Sequence, residues 1–241
     1  LLFLLCGIVA VAFVLVLSVY LILSGVPAIR EIGLWRFLFG KTWAPTATTV
    51  EPSFGILPFL LSSVYGTAGA CLLGVPIGIL TAVCLAKAAP PKVASAIGTA
   101  VQLLAGIPSV VYGLIGMIVL VPAIQRTFRL SSGACLLAAI LVLTVMILPS
   151  IISVSETALR AVPREYEEGS LALGATETET WFRVSLPAAG SGVAAAVVLG
   201  VGRAIGEAMA VIMVSGNVPN MPSLFGSVRF LTTAIASEMS Y

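Results

Sequence analysis

The chain has no histidine, and its four cysteines, Cys6, Cys71, Cys84 and Cys135, stand in apolar runs without C-x-x-C spacing. That excludes the usual zinc-ligand sets and a disulfide framework, and the cysteines read as small core residues. The apolar segments also lack paired carboxylates and any nucleophile beside a base, which leaves a membrane-embedded enzyme little to work with. Charge is scarce: Asp, Glu, Lys and Arg make up 9% of 241 residues, against about 25% in soluble domains. The net charge of +2, with no basic cluster interleaved with aromatics, argues against nucleic acid as a partner. Gly40-Lys41-Thr42 is reminiscent of the end of a phosphate-binding loop, but Trp35 occupies the place of the required glycine and no strand precedes it. It is not an ATP site.

What the chain does have is apolar length. Hydrophobic residues make up 59% of it and the mean hydropathy is +1.15, the signature of an integral membrane protein. A bilayer span needs about 20 mostly apolar residues. That criterion predicts an all-α, polytopic transmembrane helix bundle in one domain over 1–241, with spans near 1–23, 56–86, 94–121, 133–152 and 188–214. Prolines and glycines inside the spans, as in Gly74-Val-Pro76-Ile-Gly78, are tolerated where neighbouring helices approach closely. Trp35, Trp43 and the basic residues around them suit an interfacial segment, with a short amphipathic helix over Ile29–Phe39. Asn217-Val-Pro219-Asn-Met-Pro222 reads as a loop, and a further helix starts over Val228–Met239. The chain begins at Leu1 in the middle of an apolar run, so flanking segments are expected in the whole protein, among them a last span beyond Tyr241. Loop charges do not set the orientation: Lys87, Lys92, Arg160, Arg164 and Arg183 on one side balance Arg30, Arg36, Lys41, Arg126, Arg129 and Arg229 on the other.

One stretch breaks the apolar pattern. Between Glu156 and Glu179 lie six of the ten acidic residues, with Arg160 and Arg164 among them and Arg183 close behind. The core of this island is PREYEEGSLALGATETETWFRVSLP, 163–187, and it carries the punctuation of two short helices joined by a turn. Pro163 suits a first helical position and Gly174 a helix stop. Thr176 with Glu179 forms a capping box that restarts the helix, and Pro187 marks the return to apolar sequence. A plain polar linker would not need this spacing.

Glu168, Gly174, Val184 and Leu186-Pro187 resemble the EAA loop of importer-type ABC permeases, E-A-A-x3-G-x9-I-x-L-P, with Gly169 and Ser170 at the two alanines and Val184 at the isoleucine. The resemblance implies the MetI-like permease fold, a cytoplasmic position for the loop, and a role for Glu168, Gly174, Leu186 and Pro187 in coupling to a separate ATPase.

The second irregularity is LGVGRAIGEAMAV, where Arg203 and Glu207 stand inside an apolar run. On a continuous helix a spacing of four puts both side chains on one face. Arg203 lies about 22 Å of helix past Ala188, deep for snorkelling. One reading is an intrahelical ion pair. The other is a pathway in which the guanidinium meets an oxyanion and Glu207 holds Arg203 when the path is empty, with Gly200, Gly202 and Gly206 leaving room. The strings LAGIPSVVYG, GRAIGEAMAV, GNVP and LTTAIASEM, with the EAA-like loop, resemble the PstC family of phosphate transport system permeases. That likeness implies phosphate as substrate, Arg203 and Glu207 on its path, a PstA-like sister permease, a PstB-like ATPase dimer that binds the ATP, and a PstS-like periplasmic phosphate-binding protein. No cofactor is expected in this chain. A permease for molybdate or sulfate, and a secondary carrier in which Glu207 is a proton site, remain the alternatives.

Overall fold

The computed structural model describes residues 2–45 and 52–238. By its internal packing the chain falls into two units, Leu1–Leu57 and Pro58–Tyr241; the single domain over 1–241 stays an expectation.

In the first unit, α1 (Leu2–Ile32) is apolar all round and buries none of its residues, as suits a helix surrounded by lipid. The helix expected over Ile29–Phe39 is divided. Gly33, at φ 89°, ends α1 and leads into α2 (Leu34–Phe39), a conformation that costs glycine little. Two-residue strands β1 (Trp43–Ala44) and β2 (Ser53–Phe54) then pair antiparallel.

The second unit is built on α7 (Leu136–Arg160). Its interior face, from Leu136 through Leu143, Met146 and Ile147 to Ile151, is buried. Helix α3 (Leu57–Val83), which runs on through a π-helical turn π1 (Cys84–Ala88), packs along it. The approach is close because α3 presents glycine there. A β-carbon on Gly74 or Gly78 would stand 2.8 Å or 2.7 Å from Ile147 or Ile151, nearer than packed atoms come.

Next in order are α4 (Pro91–Gly106), α5 (Ser109–Ile115), π2 (Gly116–Leu120) and α6 (Val121–Phe128). After α7 come α8 (Arg164–Ala172), α9 (Glu177–Thr180), π3 (Trp181–Ser185) and α10 (Leu186–Ala188). The chain continues with α11 (Gly190–Gly206), α12 (Met209–Val214) and α13 (Leu231–Glu238).

Among the described residues four helical stretches are long and apolar enough to cross a bilayer: Leu2–Ile32, Leu57–Ala88, Ser109–Phe128 and Leu136–Arg160. A fifth arises if Glu177–Ala188 and Gly190–Gly206, bent by 73°, form one span. The span expected at 94–121 is therefore two pieces. Pro108 cannot donate a helical hydrogen bond and pushes Ile107 to an extended conformation at φ −72°, ψ 128°. The helix restarts at Ser109 and reaches Phe128. The stretch expected at 188–214 is likewise broken, at Glu207–Ala208. The loop after α12 returns to α7: the amides of Cys135, Leu136 and Leu137 donate to the carbonyls of Val214, Gly226 and Leu224 at 3.1, 3.1 and 2.9 Å. These are groups a helix start leaves without partners.

Candidate functional site

The charged island folds as the hairpin its local signals require. Pro163 immediately precedes α8, and Glu165 and Glu167 lie in its first turn, where the helix dipole favours acids. Gly174 takes φ +88°, the left-handed stop. Thr176 and Glu179 form both halves of the capping box, the Glu179 amide donating to Thr176 Oγ1 at 3.3 Å and the Thr176 amide to Glu179 Oε2 at 3.0 Å. Pro187 differs from expectation. The helix runs through it to Ala188, because the π turn before it replaces the ordinary ladder with a bond from the Leu186 amide to the Trp181 carbonyl. Leu186 packs with the cluster of Ala82, Val83, Leu159 and Val162. Glu168 is exposed, as is Leu173 at the turn, at 92%.

The inner side of the hairpin carries a network that the sequence did not reveal. The hydroxyls of Ser170 and Thr180 share a hydrogen bond of 2.9 Å, which closes α8 on α9. Ser170 is one of the two departures from the alanines of the loop pattern, and this bond gives it a purpose. Glu167 Oε1 forms an ion pair with Lys87 of π1 and accepts from Ser185 Oγ of π3 at 2.7 Å. Burial alone would push the Glu167 carboxyl up; the hydrogen bonds from Lys87 and Ser185, with the charges of Lys87 and Arg164, outweigh it and hold the group below the ordinary carboxylate range. Arg160 donates to the Leu85 carbonyl at 3.0 Å and pairs with Glu156 at 2.9 Å.

Arg203 and Glu207 are not an ion pair. Helix α11 stops at Gly206, and Glu207 is extended at φ −76°, ψ 124°, so a spacing of four no longer measures one helical turn. Arg203 Nη1 instead donates to Ser150 Oγ on α7 at 3.2 Å. Glu207 Oε1 accepts from the Ala210 amide at 3.0 Å, at the start of α12, and its carbonyl accepts from Thr232 Oγ1 at 2.8 Å. Among the described residues no salt bridge joins Arg203 to a carboxylate. The glycines divide. Gly200 is packed against Ile151, while a β-carbon on Gly202 or Gly206 would meet nothing within 4 Å.

The helices that follow the two breaks, α5 after Ile107 and α12 after Glu207, pack on each other. Tyr112 Oη donates across the break at Ile107 to the Leu104 carbonyl at 2.8 Å. On the next residue, a β-carbon at Gly113 would stand 2.8 Å from Ala210 Cα, so α5 and α12 touch backbone to backbone. The Tyr112 hydroxyl is also near enough to Arg203 to feel its charge. Two interrupted helices meeting beside an intramembrane cation is an arrangement that transporters use for solute sites.

A bundle of apolar helices with a punctuated polar elbow at one end and a broken, charged span inside defines a polytopic membrane permease. Residues 74–237 match the family described as binding-protein-dependent transport system inner membrane component. The chain belongs to that family, the permease subunits of ABC importers. It is 39% identical over 239 residues to the probable ABC transporter permease protein YqgH of Bacillus subtilis, covering 98% of this chain and 77% of the relative. It is 33% identical to the phosphate transport system permease protein PstC of Pasteurella multocida, covering 92% of this chain and 77% of the relative. An inward-facing structure of the MetNI methionine ABC transporter superposes with a TM-score of 0.50 at 25% identity, over 70% of this chain and 74% of that one. A second MetNI crystal form gives 0.53 at 24% identity, over 74% and 83%.

Proposed function

We propose that this chain is one of two permease subunits in an ATP-driven importer of inorganic phosphate, and that the anion passes beside Arg203. The observation that carries the reading is the state of Arg203: a half-buried guanidinium inside a broken span, held by a serine hydroxyl and, among the described residues, without a carboxylate partner. Its planar donors suit a tetrahedral oxyanion. Gly202 and Gly206 keep space open near it. Relatives whose names specify phosphate transport support the choice of substrate.

In this reading a PstA-like permease completes the path, a PstB-like ATPase pair binds and hydrolyses ATP, and a PstS-like binding protein delivers phosphate from the opposite side. The chain itself hydrolyses nothing. The exposed tip of the hairpin, Leu173 beside Gly174 with Glu168 on the same helix, docks on the ATPase. Closure of the ATPases moves the hairpin, and rigid displacement of the spans exposes Arg203 alternately to each side. Glu207 borders the path while its carboxylate caps α12, which weighs against its use as a proton carrier.

Uptake of labelled phosphate into proteoliposomes holding the whole transporter tests the reading, with excess sulfate or molybdate as competitors. ATP-dependent uptake that resists both competitors is expected. Preferential uptake of another oxyanion would replace the substrate, and uptake driven by a proton gradient without ATP would make the chain part of a secondary carrier.

A further inference from the structure

We propose that Glu167, the residue before the acid of the EAA-like pattern, is the positioning residue that gears the hairpin to the spans it moves. The inference rests on reading 163–187 as the ATPase-docking hairpin. Adjacent helical residues point about 100° apart, and the two acids divide accordingly. Glu168 is exposed, whereas Glu167 turns inward, its side chain 21% exposed against a Lys87 side chain at 12%. A single oxygen, Glu167 Oε1, holds both Lys87 Nζ and Ser185 Oγ, the latter at 2.7 Å from a residue with no exposure at all.

Both partners lie on π turns. Lys87 is in π1 at the foot of α3, and Ser185 is in π3 at the root of the Arg203 span. A π turn interrupts the regular ladder and is a common site of helix adjustment at functional places. Glu167 thus grips the two helices at the points where each has already left α geometry. The hairpin above is closed by Ser170 with Thr180 and by the capping box, so it moves as one body. Below, Arg160 ties π1 to the end of α7 through the Leu85 carbonyl. A push on the hairpin reaches α3 through Lys87 and the Arg203 span through Ser185, and the carboxylate is the shared joint.

The test compares Glu167→Gln, Lys87→Met and the double variant in the whole transporter reconstituted in proteoliposomes, reading phosphate moved per ATP hydrolysed for each assembled complex. Each single variant is expected to keep hydrolysis and to lower the ratio about ten-fold, a usual size for coupling between sites. The double variant is expected to be no worse than either single, because one tie is lost in all three. An unchanged ratio in Glu167→Gln, with transport and hydrolysis falling together or not at all, overturns the proposal, as does additivity of the two singles. Glu168→Arg separates the two levels. If it disturbs coupling while Glu167→Gln does not, the clamp is wrong and the docking hairpin stands; if neither variant disturbs it, the hairpin reading has failed as well.

Discussion

The chain treats the charges of its hairpin region and those of its broken span in opposite ways. In and just before the hairpin, Glu167 is matched to a lysine and a serine, Glu156 to Arg160 at the end of α7, and Glu179 to the amide of its own cap. In the broken span, Arg203 and Glu207 are close in sequence, yet a helix break separates them and each takes a partner without charge. A matched charge holds structure, because separating it would leave a partly buried ion uncompensated. A cation held by one hydroxyl keeps donors free for a ligand, and keeping it so inside apolar surroundings is costly unless something passes there. Under the proposed function, the difference suits force transmission in the hairpin and solute contact at the break.

After loss of Arg203 itself, the largest expected effect that sharpens this division is on the hairpin. Gly174→Val places a β-branched residue at φ +88°, a conformation costing about 1–2 kcal/mol, and displaces the tip. Phosphate uptake is expected to fall by roughly 10²-fold, as for other small misplacements of working parts, with assembly unchanged by gel filtration; normal uptake would show that the turn is not a handle. At the break, Ser150→Ala removes the hydroxyl that holds Arg203. The half-saturating phosphate concentration is expected to rise about three- to ten-fold, the range of one hydrogen bond, with Ser150→Thr restoring it; an unchanged value would mean that Arg203 is placed by packing alone. Thr176→Ala removes the cap, worth about 1 kcal/mol, so amide exchange over 176–180 is expected to quicken about five-fold while α11 is unaffected.

The smallest effect is on pH. The Glu167 carboxyl is more acidic folded than unfolded, so its contribution to stability is complete above the ordinary carboxylate range and is lost as pH falls through its lowered value. Glu167→Gln is expected to lose stability at neutral pH and to flatten the acid limb of a thermal-unfolding profile. An identical limb in both proteins would remove the tie to Lys87.

Much of the hairpin was legible in the sequence because its rules are local. Pro163, Gly174 and the pair Thr176 and Glu179 specify a helix start, a left-handed stop and a cap within a few residues of each other. The clamp was not legible: Lys87 and Glu167 are brought together by the packing of α3 and α8, and neither has a signal of its own. The break at Glu207 was hidden for a related reason. Hydropathy runs on through GRAIGEAMAV, and the interruption is held from outside, by Thr232 on the Glu207 carbonyl and by Gly113 pressed against Ala210. A spacing of four then suggested an ion pair that the backbone does not permit. The division of 94–121 is marked by Pro108, but a proline inside an apolar run does not by itself distinguish a broken helix from an accommodated one.

The most direct measurement is the ratio of phosphate taken up to ATP hydrolysed by the reconstituted transporter, wild type against Arg203→Ala. Hydrolysis within about two-fold of wild type, with uptake reduced to background, is the expected result. Uptake at the wild-type rate by Arg203→Ala would contradict the assignment of the broken span to the solute, whatever the hairpin does.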